Sequence, residues 1–300
     1  MNQTDTLLLD LQNGDVRALA RCITIVENDI AGYEDLLLKL KHRKTVPVIG
    51  ITGPPGAGKS TLINGLIEHL TNQNFRVGVI AIDPTSPFNH GSLLGDRVRM
   101  SAHFLNPKVF IRSLATRGSL GGLSAKTIEI TDVMKASGVD FVLVETVGVG
   151  QSEIEIVGLA DTTVLVLVPE AGDEVQSLKS GIMEIADIYV VNKADRPGAS
   201  IFLKNLQLLV HEHAANSWIP KIVKAVATQN EGIEQLLAGI QEHQLSKKNI
   251  NKALLLAERA FQLIQNYRMK DVNKATLAGI LEQELNNPDF NLYRFIKNYY

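Results

Sequence analysis

Gly53-Pro54-Pro55-Gly56-Ala57-Gly58-Lys59-Ser60, running on into Thr61, is the stretch that decides how this chain folds. It lies between an apolar run, Val48 to Thr52, and a helix-like run, Thr61 to Leu70. A strand that turns into a helix through such a loop aims a row of amide hydrogens inward, and the helix N-terminus adds a favourable potential for polyphosphate. Gly56 and Gly58 permit the turn. Lys59 is then placed to reach β- and γ-phosphates, and the Ser60 hydroxyl to meet a magnesium ion bridging them. The expected nucleotide contacts in this segment are Gly53, Pro54, Pro55, Gly56, Ala57, Gly58, Lys59, Ser60 and Thr61. A lone glycine-rich turn is the structural alternative, and the correct flanks on both sides argue against it.

Outward from the loop, apolar β-type runs alternate with helical stretches: Val46 to Thr52, Val77 to Ile82, Val109 to Arg112, Phe141 to Glu145, Val164 to Val168, Ile188 to Asn192 and Ile222 to Val226. The alternation predicts an α/β fold, a mostly parallel sheet with helices on both faces. Several runs are apolar throughout and read as central strands, whose carboxyl ends collect ligands. Upstream, apolar residues from Val16 to Leu40 recur at helical spacing and predict two helices. Lys41-His42-Arg43-Lys44 reads as a solvated linker, with phosphate contact as the alternative. From Asn249 onward, Leu254, Leu255, Phe261, Ile264, Leu277, Ile280 and Leu281 give helices without strands.

Two further motifs fall at strand ends. Asn192-Lys193-Ala194-Asp195 follows the run Ile188 to Val191. Asp195 can accept from the ring N–H and exocyclic amine of guanine, a donor pair that adenine lacks on that edge, while Lys193 can cover the ring. The expected base is guanine; a capped helix start is the bland alternative. Phe141 to Val144 delivers Glu145, a carboxylate able to hold magnesium directly or through water, and Gly148 lets its amide approach a γ-phosphate. Asp83 ends another run before Pro84 and is either a turn former or a metal ligand; its place at a strand's carboxyl end favours the metal role. The expected organisation is an N-terminal helical extension over 1–44, a P-loop GTPase domain over 45–246, and a C-terminal helical arm over 247–300.

Composition narrows the partners. The 300 residues carry 30 basic and 32 acidic side chains, a net charge of −2, so neither nucleic acid nor an anionic membrane is an expected partner. Cys22, the single cysteine, lies in an apolar helical run and reads as a buried structural thiol. Met1 to Asp15 lacks the marks of a signal or transit peptide, and no run is long enough to span a bilayer, so the expected compartment is the cytoplasm.

The motifs taken together resemble a known family. GPPGAGKST (53–61), AIDPTSPFNHGSLLGDRVRM (81–100), FVLVETVGVGQSEIEI (141–156), PEAGDEVQSLKSGIMEIADIYVVNKAD (169–195) and NEGI (230–233) are similar to the MeaB/ArgK family, which includes the human methylmalonic aciduria type A protein. The resemblance is dense from Val46 to Ile240. It implies a magnesium-dependent GTPase that forms homodimers, binds no cobalamin itself, and attends an adenosylcobalamin-dependent acyl-CoA mutase, methylmalonyl-CoA mutase or a relative, gating cofactor loading and reactivation. Carried over by motif, Ser60, Asp83, Asp96 and Glu145 form the magnesium and nucleotide-sensing set. Gly172 to Lys179 resembles an additional switch in which Lys179 couples the partner to catalysis. The last guanine-contacting loop departs from the family's Ser-Ala and reads Val226-Ala227-Thr228, where a backbone amide can still meet the guanine oxygen.

The expected chemistry is attack of water on the γ-phosphorus, with Lys59, Glu145 and Lys179 as catalytic candidates. Gln151 is a candidate for orienting the water, although it stands three residues past Gly148 and reads equally well as a structural amide. Three alternatives fit the motifs less well. A transport-associated protein kinase or ATPase conflicts with the Asn-Lys-x-Asp motif. A metal-insertion GTPase would bring a Cys/His cluster, whereas His211 and His213 fit the solvent face of a helix. A signal-recognition-type GTPase would bring a methionine-rich groove, and the chain has five methionines.

Overall fold

The computed structural model describes residues 3–41, 45–83, 100–115, 126–148, 152–171, 186–212, 218–246, 252–287 and 289–299. Three helices come first, α1 (Gln3–Gln12), α2 (Val16–Glu27) and α3 (Tyr33–Leu38). The apolar spacing predicts only the last two. Helix α1 buries Leu8 and Leu11 but leaves Leu9 exposed, so its four leucines carry no clean period. Helix α2 starts where the Asp15 carboxylate accepts the Ala18 amide at 2.7 Å, an N-cap that satisfies an otherwise orphaned donor. Its buried stripe is Ala18, Leu19, Cys22, Ile23 and Val26. Cys22 is wholly buried, and burial pushes its thiol up to about 11, as an inert structural cysteine requires.

The elements that follow are β1 (Val48–Thr52), α4 (Lys59–Asn72), β2 (Val77–Asp83), β3 (Val109–Ala115), α5 (Thr127–Ala136), β4 (Phe141–Glu145), α6 (Ser152–Leu159), β5 (Thr162–Leu167), β6 (Ile188–Val191), α7 (Ala199–Glu212), β7 (Lys221–Lys224) and α8 (Ile233–Ser246). The seven strands form one parallel sheet in the order β3-β2-β4-β1-β5-β6-β7. Every residue of β1, β4, β5 and β6 is buried, which is why these runs are apolar without alternation. Alternate side chains serve opposite layers. Val164, Val166, Ile188 and Val190 pack with α4 and α8 through Leu62, Leu66, Leu236 and Ile240. Leu165, Leu167, Tyr189 and Val191 pack with α7 through Phe202, Leu206 and Val210.

The amino end of the sheet is closed by a repeated device. Asp140, Asp161 and Asp187 each stand one residue before a strand and accept the amide of a neighbouring segment: Arg76 at 2.7 Å, Val48 at 2.8 Å and Thr163 at 2.8 Å. His243 of α8, fully buried, completes this end. Its Nδ1 lies 2.9 Å from the Thr162 hydroxyl and its Nε2 lies 3.0 Å from the Asp187 carboxylate. The Thr162–His243 and Thr163–Asp187 bonds draw Thr162 and Thr163 into β5, which the apolar run alone would start at Val164.

Two compact units divide the chain, Met1–Asn251 and Lys252–Tyr300. The second consists of α9 (Lys252–Arg268), α10 (Lys274–Glu284) and α11 (Leu292–Ile296), with Phe261, Ile264 and Tyr267 exposed on α9. Among the described residues no helix is long and apolar enough to cross a membrane.

Candidate nucleotide site

Strand β1 ends at Thr52, and Gly53 to Gly58 carry the chain into α4. Lys59, only 7% exposed, folds back over the loop, its ammonium donating to Gly53 O at 2.8 Å and Pro54 O at 3.1 Å. The ammonium is thereby held above the loop instead of extending into solvent. One residue on, the Ser60 hydroxyl donates to Glu145 Oε1 at 2.7 Å, and both side chains are buried. Sheet order explains the meeting. Strand β4 lies beside β1 with Ile51 opposite Glu145, so the carboxylate that ends β4 emerges next to the loop that leaves β1.

The chain past Glu145 stays close to the loop. Thr146 donates its amide to Ile51 O at 3.1 Å and its hydroxyl to the Thr52 hydroxyl at 2.9 Å. Gly148 has a φ of 89°, and a Cβ there would fall 2.5 Å from Lys59 Nζ and 2.6 Å from Gly53 O. Only glycine fits so close to the loop in that conformation.

Strand β6 delivers the second motif. Asn192, buried, donates through Nδ2 to Ala57 O at 2.8 Å and accepts the Ala227 amide at Oδ1 at 3.1 Å. One side chain thus ties the phosphate loop to the 226–228 loop. Lys193 takes a φ of 55°, and its ammonium donates to Gly56 O at 2.8 Å. Between these segments lies a cavity of about 140 Å³ lined by Gly58, Thr61, Asn192, Lys193, Asp195, Arg196 and Val226 to Thr228. Arg196 pairs with Glu170, and that hydrogen bond lowers the Glu170 carboxyl below its ordinary value.

The structure therefore brings Gly53 to Thr61, Glu145, Gly148, Asn192, Lys193, Asp195 and Val226 to Thr228 to the carboxyl end of one sheet. Asp83 ends β2 at the same end, with Ala81 opposite Glu145 in the ladder; its side chain is outside the described set. Asp96, Gln151 and the segment Gly172 to Lys179 lie outside the described residues. Sequence reasoning passed over Thr52, Thr146 and Arg196. Each is directly adjacent to a motif residue, and adjacency was the only signal available for them.

A parallel sheet with a phosphate loop after its first strand and an Asn-Lys-x-Asp turn after its sixth, joined through one asparagine, defines a P-loop guanine-nucleotide-binding protein. Within that class the chain belongs to the family described as methylmalonyl Co-A mutase-associated GTPase MeaB, whose model matches residues 19–279. A Pyrococcus horikoshii protein with a GTPase designation is 46% identical over 290 residues, covering 95% of this chain and 89% of that protein. GTPase ArgK of Escherichia coli is 32% identical over 295 residues, covering 94% of this chain and 86% of the relative. The mouse methylmalonic aciduria type A homolog, mitochondrial, is 36% identical over 262 residues, covering 80% and 63%. A crystal structure of an LAO/AO transport system kinase superposes with a TM-score of 0.69 at 25% identity, covering 99% of this chain and 93% of the other. The chain binds guanine nucleotide and hydrolyses GTP, as its family does.

Proposed function

We propose that this GTPase is the magnesium-dependent chaperone of an adenosylcobalamin-dependent acyl-CoA mutase, gating cofactor loading and reactivation. The observation that carries the reading is the family match over residues 19–279, whose description names the mutase. The mouse relative's name, which speaks of methylmalonic aciduria, supports the same partner class. The cytoplasm is its compartment in this reading, and it binds no cobalamin itself.

Within the site, Lys59 and the loop amides hold the phosphates and stabilise the charge that builds as water's oxygen bonds to the γ-phosphorus and the bond to the β-phosphate oxygen breaks, giving GDP and phosphate. The Ser60 hydroxyl and Glu145 carboxylate, already within 2.7 Å, are the hard oxygen donors that suit magnesium, and Asp83 and Asp96 complete the proposed set. Bound there, the ion would neutralise charge on the β- and γ-phosphates. Asp195 reads the guanine edge, Lys193 covers the ring, and a backbone amide of the Val226-Ala227-Thr228 loop meets the guanine oxygen. Lys179 and Gln151 act from the switch segments, with Lys179 answering to the partner. Residues 1–44, 45–246 and 247–300 serve as extension, GTPase domain and dimer-forming arm.

The test is GTP turnover by the purified protein with and without purified cobalamin-dependent mutases, with ATP and magnesium-free controls. Stimulation by one mutase identifies the partner, and Lys179→Ala abolishes the stimulation. Turnover untouched by every mutase overturns the chaperone reading. A preference for ATP would instead favour the transport-associated kinase alternative.

A further inference from the structure

We propose that Thr146 and Thr52 are a positioning pair that sets the rate of GTP hydrolysis by clamping the Glu145 to Gly148 segment onto the phosphate loop. Where β4 runs out, its ladder with β1 ends at the Thr146 amide, which donates to Ile51 O at 3.1 Å. The next link is made by side chains: the Thr146 hydroxyl donates to the Thr52 hydroxyl at 2.9 Å, with both residues at most 1% exposed. The hydroxyl pair thus extends the strand pairing by one link past the point where the backbone can supply it.

What hangs on each side of that link gives it its role. Thr52 precedes Gly53, whose carbonyl receives the Lys59 ammonium at 2.8 Å. Thr146 follows Glu145, whose carboxylate receives the Ser60 hydroxyl at 2.7 Å, and precedes by two residues Gly148, which sits against Gly53 O and Lys59 Nζ. The pair therefore fixes the distance between the segment that holds Lys59 and the segment that holds Glu145. Neither threonine lines the base cavity, whose walls are Gly58, Thr61, the 192–196 turn and the 226–228 loop. Nucleotide affinity, which rests on those walls, the loop amides and Lys59, is largely independent of the clamp, because Lys59 and Asn192 keep their own bonds to the loop. Hydrolysis is not, because displacement of a reacting constellation by about 1 Å costs on the order of 10²-fold in rate. Valine at either position keeps the β-branched shape and removes only the hydroxyl, leaving its partner's hydroxyl buried without a match.

The experiment uses the full chain with Thr146→Val, Thr52→Val, the double variant and Thr146→Ser, measuring kcat and KM for GTP, Kd for GDP and Tm. Each valine variant is expected to lower kcat by at least about tenfold while Kd for GDP moves by less than about threefold. The double variant is expected to be no slower than the slower single one, as for two groups acting as a unit. Thr146→Ser, which keeps the hydroxyl, restores kcat to within about threefold of the parent. Should Thr146→Val not fold, Thr52→Val reads the same link from the other side. Wild-type kcat in a folded valine variant overturns the proposal. So does a parallel loss of kcat and GDP affinity, or a serine variant as slow as the valine one.

Discussion

At the amino end of the sheet, Asp140, Asp161 and Asp187 turn carboxylates onto backbone amides in or just before the neighbouring strands at 2.7 to 2.8 Å. At the carboxyl end, Lys59, Asn192 and Lys193 turn side-chain N–H donors onto the carbonyls of Gly53, Ala57 and Gly56 at 2.8 Å. Both ends use hydrogen bonds of equal length, yet they are built differently. The amino end joins strand to strand through acceptors that satisfy donors the ladder leaves over, so its bonds belong to the fold alone. The carboxyl end joins loop to loop through side-chain donors that take up carbonyls of the phosphate loop. The contrast teaches that stability and catalysis are separable along the strand axis.

Three substitutions sharpen or break that division. Lys59→Ala carries the largest expected effect, a fall in kcat of about 10²–10³-fold in a protein that still folds, read by phosphate release. Loss of the fold instead would mean that the carboxyl end also holds the sheet together. Asp187→Ala strikes the other end. It strips the Thr163 amide of its acceptor, removes the carboxylate beside His243 and should cost about 1–3 kcal/mol, lowering Tm by several degrees, with kcat per folded molecule unchanged. A slower folded enzyme would refute the separation. Lys221→Ala removes an ion pair to Glu242 in which both side chains are at least 40% exposed, and urea titration should find it within about 1 kcal/mol of the parent.

Much of this plan is legible in the chain. The seven apolar runs became seven strands, most plainly β1, β4, β5 and β6, where burial on both faces leaves no polar alternation to obscure them, and the phosphate and base motifs fell at strand ends because their spacing encodes backbone turns. What was not legible depends on neighbours distant in sequence. Thr146 and Thr52 are 94 residues apart and Asn192 and Ala57 are 135 apart, so their contacts follow only from the strand order. The aspartates before β4, β5 and β6 were passed over for a related reason. Each follows a small or apolar residue in Val139-Asp140, Ala160-Asp161 and Ala186-Asp187, a local pattern with no meaning until the adjacent strand is known. Helix α1 was missed because local pattern fails where only two of four leucines are buried.

Trp218 is the single tryptophan of the chain, and it stands at the closed end, its indole N–H on Asp187 O at 2.9 Å and its ring centroid 4.9 Å from that of His243. Strand β6 separates Asp187 from Asn192 by about 16 Å. The tryptophan emission of this protein is therefore a gauge of one end only. It will change colour and intensity when the aspartate-bound end opens, and stay dark to guanine arriving at the other, so an optical record of occupancy needs a fluorophore on the nucleotide.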